Sequence, residues 1–327
     1  MKKKFKINNV SLVIAIALLI VMYLFGAAKY TRFGSLSTIL NLFNDNAYLI
    51  VVSVGMTFVL LTGGIDISVA SIVAFTGVFA AFLLEKGWAA APVIALTLFI
   101  GAFVGFLQGY AVHEFKIAPF LITLAGQFLM RGMCAVVSTI SIPITNDFFK
   151  SAALAKISWV TASGSRPKLY YYVFFAIAIV IIAWYILRFT RFGRAVYAVG
   201  SNEQSAQYMG LNVKGVKVGV YAINGFCSAL GGILFSFYTL AGYSLQNMGM
   251  ELDAISSAVI GGTLLTGGVG TVIGSMVGVL IQGIIQTIVT YQNLNTWWTK
   301  VTIAAILCFF IVIQRLIAIR AEKDKAA

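Results

Sequence analysis

The sequence predicts an all-α, polytopic membrane protein, and three observations carry that prediction. Hydrophobic residues make up 60% of the 327 and charged residues only 10%. The apolar residues gather into ten runs, most of them near the roughly 20 residues that cross a bilayer core about 30 Å thick. Lys and Arg fall mainly at the ends of those runs, as they do beside membrane helices. The net charge of +13 therefore reads as membrane topology, and nucleic acid is excluded as a partner.

The N-terminal M-K-K-K-F-K followed by an apolar run has the look of a secretory signal, but the run 10–28 exceeds the roughly 7–15 residues of a signal core. It is expected to be retained as the first membrane helix. Next come 46–62, 67–84, 90–112, 117–140 and 170–187, then 216–240, 252–265, 269–291 and 297–317. The run 252–265 is short and glycine-interrupted, a candidate partial span. The whole of 1–327 reads as a single transmembrane domain of about ten helices. An even number of crossings puts both termini on one side. With that side cytoplasmic, 14 of the 23 Lys and Arg lie inside, eight outside, and Arg131 lies within a span. Both termini and the polar stretch 188–217 are thus expected in the cytoplasm. The loop 141–169 would be external, yet it holds Lys150, Lys156, Arg166 and Lys168. It is either a docking surface or a solvated loop.

The stretch 188–217 is polar, basic and punctuated by turn residues. One short helix is expected there over 202–209, with Ser201 as N-cap, Gln204 completing a capping box, and Gly210-Leu211 ending it by a Schellman turn. Such a helix is only roughly 12 Å long and is unstable alone in water. It therefore needs a surface to dock on, and Tyr208 and Met209 are the candidate docking tips.

Glycine spacing shapes the interior. Gly101, Gly105 and Gly109, and again Gly270, Gly274 and Gly278, recur at every fourth residue and let helices approach closely. The second series continues into Gln282, Gln286 and Thr290, displaced around the helix so that amides face a neighbouring cavity. L-L-T-G-G occurs at 60–64 and again at 264–268, with Ser71 and Ser275 in register. An internal repeat, frequent in transporters, and chance in a chain rich in these residues are the two readings. Cys134, Cys227 and Cys308 stand singly in apolar runs and give neither a disulfide framework nor a metal spacing.

No G-x-x-x-x-G-K-[ST] loop, H-E-x-x-H or G-x-S-x-G occurs, so neither nucleotide hydrolysis nor another catalysis is expected of this chain, nor a bound cofactor. If ATP drives it, another subunit supplies the engine. His113, beside Glu114 at a helix end, is expected to be solvated. Asp66, in T-G-G-I-D-I-S, is the carboxylate of most interest. It is either a helix-start residue favoured by the dipole or part of a transport path. Arg131 is expected to pair with backbone or a carboxylate, and Glu251 and Asp253 to cap a helix. The candidate path residues are Gly63, Gly64, Asp66, Ser68, Gln108, Gln127, Asn224, Gln246, Gln282 and Gln286, the amides because they suit hydroxyl-rich ligands. A stand-alone ion-coupled transporter or channel, with Asp66, Arg131 and Glu251 as a charge relay, is the alternative.

T-G-G-I-D-I-S-V-A-S (62–71), A-V-G-S-N-E-Q-S-A-Q-Y-M-G-L (198–211) and E-L-D-A-I-S-S-A-V-I-G-G-T-L-L-T-G-G-V-G-T-V-I-G (251–274) together resemble the permease subunits of ATP-binding-cassette importers for monosaccharides, the ribose, xylose, arabinose and galactose group. Including W-W-T-K (297–300), the likeness is greatest to the galactofuranose importers, which pair two different permeases. The resemblance implies a bacterial inner-membrane complex. In it a monosaccharide crosses by alternating access between two permease subunits, with two cytoplasmic ATPases carrying ATP and Mg and an external sugar-binding protein delivering the sugar. It further implies that Ser201, Asn202, Glu203, Gln204, Ser205, Ala206, Tyr208, Met209 and Gly210 belong to a coupling helix seated in a groove of the ATPase. Ser205-Ala206, Ile67 and Ala70 stand where the family often has Ala-Ala, Leu and Gly.

Overall fold

The structure is a computed structural model describing residues 2–160, 166–295 and 297–326. Each of the ten apolar runs becomes helix over most of its length. These helices are α1 (Lys2–Lys29), α2 (Leu36–Leu61), α3 (Val69–Glu85), α4 (Ala90–Glu114), α5 (Pro119–Val137), α7 (Tyr171–Phe189), α10 (Val213–Thr239), α11 (Met250–Ile260), α12 (Val272–Tyr291) and α13 (Trp297–Ala326). Among the described residues seven are long and apolar enough to cross a membrane, namely α1, α2, α4, α5, α7, α10 and α12. α3 has 17 residues and α11 only 11. One T-G-G turn ends α2 before α3, and the other lies between α11 and α12, α11 itself being stopped at Gly262 with φ +97°. Gly63, Gly267 and Gly268 sit in the two T-G-G turns at φ +77°, +83° and +74°, backbone that glycine adopts freely.

α2 begins ten residues before its apolar run. Ser35 caps it by accepting from the Thr38 N–H, and the polar Asn41, Asn44 and Asp45 make its first turns look like loop. Its apolar length then lies at the centre of the molecule, packed against α7, α10, α11 and α12. Hydroxyls fasten it there: Ser53 bonds Ser257 of α11 at 2.9 Å and Thr57 bonds Ser275 of α12 at 2.5 Å.

The α4 series performs as its spacing implies; of the second, Gly274 and Gly278 lie on α12, while Gly270 precedes the helix at φ +155°. A Cβ at Gly101 or Gly105 of α4 would strike the backbone of Gly225 or Tyr221 of α10, and one at Gly274 or Gly278 the backbone of Gly261 or Ser257. Backbone thus meets backbone, which in lipid is a main source of helix attraction. The outer face of α4 carries exposed, stacked Phe99, Phe103 and Phe106, as suits contact with hydrocarbon.

Two antiparallel strand pairs form among the described residues of the 141–169 loop and its neighbours. β1 (Ile142–Pro143) pairs with β4 (Ala241–Gly242) just after α10, and β2 (Lys156–Ser158) pairs with β3 (Lys168–Tyr170). Between β1 and β2 lies α6 (Asp147–Leu154), capped by Asn146. This loop and the stretch 188–217 lie at opposite ends of α7.

Gly105→Ala is expected to destabilise the fold by about 1–3 kcal/mol, the usual cost of overpacking, because its Cβ would overlap the Tyr221 carbonyl. Gly132→Ala on α5, with nothing within 4 Å of the added methyl, is expected to be neutral or slightly stabilising. Thermal unfolding in detergent checks both.

Candidate coupling and transport site

The stretch 188–217 forms two helices rather than one. α8 (Arg191–Ser201) is capped by Thr190, whose hydroxyl accepts from the Gly193 N–H at 3.1 Å. α9 (Glu203–Tyr208) follows after a single residue. The N-cap of α9 is Asn202, not Ser201: Asn202 is extended at φ −166°, and its Oδ1 accepts from the Ser205 N–H at 2.8 Å. Ser201 is unavailable because its backbone completes α8 and its hydroxyl donates to the Tyr197 carbonyl four residues back. The capping box with Gln204 therefore does not form. The C-terminal expectation holds. Leu211 N–H reaches Ala206 O at 3.1 Å, Gly210 N–H reaches Gln207 O at 2.9 Å, and Gly210 has φ +76°. Those are the two bonds of a Schellman turn.

α9 rests on the body through buried Ala206 and an ion pair from Glu203 to Lys217 of α10 at 2.7 Å. Glu114 of α4 pairs in turn with Lys214 at 2.6 Å. Asn202, Glu203, Gln204, Ser205 and Gly210 are solvent-facing. Tyr208 is 89% exposed and Met209 68%. A cavity of about 780 Å³ separates α9 from the α4–α5 turn, lined by His113, Lys116, Glu203, Gln204, Gln207 and Lys217 among others.

α8 connects this surface to the interior. At its last turn Gly200 lies against both L-L-T-G-G segments: a Cβ there would overlap the Leu61 carbonyl and touch the Gly268 nitrogen. The Gly268 N–H donates to Leu61 O at 2.9 Å, and a Cβ at Gly267 would meet Gly200 O and Gly63 N, both at 2.8 Å. The two like segments thus touch each other and the end of α8 at one point. Tyr197 adds a tether, its hydroxyl donating to Gly270 O at 2.8 Å. Burial pushes this phenol up to about 12, so it keeps its proton and its bond at physiological pH.

Three residues beyond Gly63 lies Asp66, fully buried. Its Oδ1 accepts from the Ser68 N–H (2.8 Å) and hydroxyl (2.6 Å), and its Oδ2 from Asn224 Nδ2 of α10 (2.7 Å). Gln108 of α4 donates to the Ser68 hydroxyl at 2.9 Å. Thr123 of α5 accepts from the Ile67 N–H and bonds the Ile65 carbonyl, pinning the irregular segment that carries Asp66. Non-helical backbone at membrane depth survives only when enclosed by protein in this way. Tyr221 OH faces Gly64, and among the described residues neither it nor Asn224 Oδ1 has a hydrogen-bond partner. Gly63, Gly64, Asp66, Ser68, Gln108 and Asn224 are therefore one cluster, adjoining the end of α8.

The remaining amides divide. Gln127 donates to Glu251 at 3.4 Å, and Arg131 donates to the carbonyls of Ser244 (2.7 Å) and Gln246 (2.9 Å), so the arginine pairs with backbone. The expected capping by Glu251 and Asp253 fails: Gly249 is the N-cap of α11, and Asp253 pairs with Lys300 at 2.6 Å. Gln282 is buried and donates to Asp253 O at 3.0 Å, whereas Gln286 is exposed. The two amides lie on nearly the same face of α12, but only Gln282 is covered, by α11.

Comparison with known proteins places this geometry. A family model described as the permease component of branched-chain amino acid transport systems matches residues 38–311. The chain belongs to this permease family. The permease is 41% identical to the inner membrane ABC transporter permease protein YjfF of Escherichia coli K12, over 98% of this chain and 96% of that one. It is 36% identical to the fructose import permease protein FruG of Bifidobacterium longum, over 97% and 94%. With the ribose import permease protein RbsC of Haemophilus influenzae it shares 35% identity over 84% of each chain. The resemblance to sugar-importer permeases read from the sequence is thereby sustained. No solved structure matches the chain.

Sequence reasoning missed Gly200, Tyr197 and Tyr221 in this permease. Gly200 had one signal, a small residue one position before a polar turn. For α9, Asn202→Ala is expected to cost about 1 kcal/mol of helix stability and to speed amide exchange across 203–208. Ser201→Ala is expected to leave that exchange unchanged. Hydrogen exchange read by mass spectrometry separates the two.

Proposed function

We propose that this chain is the translocating subunit of an ATP-binding-cassette importer for a monosaccharide, galactofuranose being the candidate sugar. A separate ATPase, holding ATP and Mg, moves it through α9. One observation carries this reading: two large apolar tips, Tyr208 and the C-cap Met209, stand exposed at the end of a six-residue helix that gains nothing from holding them in water. Its parent stretch reaches, through Gly200, both turns from which α3 and α12 start. Displacement of α9 therefore acts on the segment carrying Asp66 and on the start of α12 together.

In this account both termini and 188–217 face the cytoplasm of a bacterium, and the ten helical segments form one transmembrane domain in its inner membrane. A second permease subunit completes the path and an external binding protein delivers the sugar. The stand-alone, ion-coupled alternative gains no support from the geometry. Asp66 is held by Ser68 and Asn224 and Arg131 by backbone carbonyls, and among the described residues no hydrogen bond links Asp66 to Arg131 or Glu251.

Replacing Tyr208 and Met209 together by Ala is expected to lower sugar uptake at least about tenfold, since each tip buried in a groove is worth roughly 1.5–3 kcal/mol. The variant is expected to remain in the membrane at wild-type level but to lose co-purification of the ATPase. Undiminished uptake, or transport by the chain alone on an ion gradient with no dependence on ATP, overturns the proposal.

A further inference from the structure

At the end of α2 remote from Leu61, about 24 Å away at 1.5 Å per residue, a second cavity of about 290 Å³ opens between α2, α6, β3 and α10. Its size is at the small end of the roughly 300–1,000 Å³ of ligand sites, fitting one sugar ring and not an oligosaccharide. One wall is aromatic. Tyr170 and Tyr172 stack at 5.3 Å with 9° between their planes, and Tyr238 contributes a third ring.

That wall is held in place from α2. Asn44 is buried and spends both ends of its amide on β3, donating to Lys168 O at 2.8 Å and accepting from the Tyr170 N–H at 3.1 Å. The ring of Tyr170 is thereby fixed on Tyr172 before any ligand arrives. Opposite it, Asn41 and Asp45 lie four residues apart on one face of α2 and line the cavity. Among the described residues neither makes a hydrogen bond. An amide and a carboxylate free to accept and donate, set across from fixed aromatic faces, is the chemistry that binds a sugar ring. Lys156 Nζ lies over the Tyr170 ring at 5.8 Å, so the sugar's C–H groups meet Tyr172 and Tyr238 and its hydroxyls donate to the carboxylate. A lipid tail finds too many polar groups there, and an anion meets Asp45.

From this arrangement we propose that the cavity is a monosaccharide-binding subsite on the face opposite the coupling helices, where the sugar is first held by the permease. The inference rests on the sugar-permease reading. Asp45 is its specificity residue, accepting from neighbouring hydroxyls, and Asn44 is a positioning residue that acts through Tyr170.

The test is saturation-transfer NMR on the purified full chain in lipid nanodiscs, with D-ribose, D-fructose and D-galactose as probes and L-leucine as the non-sugar control. Transfer to sugar C–H protons is expected for at least one sugar and not for leucine. Asp45→Asn and Asn41→Ala, which remove no bond within the protein, are each expected to weaken the signal's affinity about tenfold. Tyr170→Phe is expected to keep it and Tyr170→Ala to lose it, with unfolding temperature as the control for misfolding. The result that overturns the proposal is transfer unchanged in Asp45→Asn and Asn41→Ala, transfer equally strong to leucine, or none from any sugar. Uptake by the assembled complex, measured alongside, separates the failures. Sugar uptake with no effect at this cavity sinks the subsite alone, while absent sugar uptake sinks the permease reading with it.

Discussion

No side chain fits at Gly200 or at Gly267 where they meet each other and Gly63, and the functional architecture depends on that exclusion. Each glycine comes from a different segment: the turn after α2, the end of α8 and the turn before α12. A methyl on Gly200 would overlap the Leu61 carbonyl, so three stretches of backbone come together with only hydrogen between them. Protein interiors at this density transmit displacement instead of absorbing it. The Leu61–Gly268 bond and the Tyr197 tether to Gly270 hold the contact in register.

The consequences run outward along three routes. From Gly63 the chain continues into the segment that buries Asp66, which is satisfied by Ser68 and Asn224 and enclosed by α4, α5 and α10. From Gly268 it enters α12, whose glycines lie on α11. From Gly200 it reaches the surface as α9, tied to α10 by Glu203–Lys217, while α10 is joined to α4 by Lys214–Glu114 and by glycine packing along their length. Exposed ion pairs such as these contribute at most about 1 kcal/mol each. The glycine contacts, and not the charges, carry the mechanical connection.

Much of this is legible in the sequence. Composition and run length specify the helical membrane fold, and the i, i+4 glycines mark where backbones touch because the spacing is itself the geometry. The repeated L-L-T-G-G pointed to the two turns, yet nothing in one chain's order of residues states that they meet each other and Gly200, separations of 207 positions for Leu61 and Gly268 and 68 for Gly200 and Gly268 being arbitrary in sequence. The N-cap was misplaced by one residue since Ser201 and Asn202 are both good caps, and only the continuation of α8 through Ser201 decides between them. The first turns of α2 were hidden because Asn41, Asn44 and Asp45 are polar. They are polar in order to hold β3 and line a cavity. The period of α12 does not tell that Gln282 meets α11 while Gln286 stays exposed.

Whether the coupling helices and the T-G-G turns move as one body is measurable directly. Spin labels on Gln207 and Thr266, both exposed, in a variant with exposed Cys308 replaced by Ser, report their separation by electron–electron double resonance as the assembled complex cycles through ATP. The account requires that distance to stay constant while a second pair, Thr266 with Leu245 near the opposite end of α10, changes. A Gln207–Thr266 distance that shifts with nucleotide as much as the second pair would contradict it.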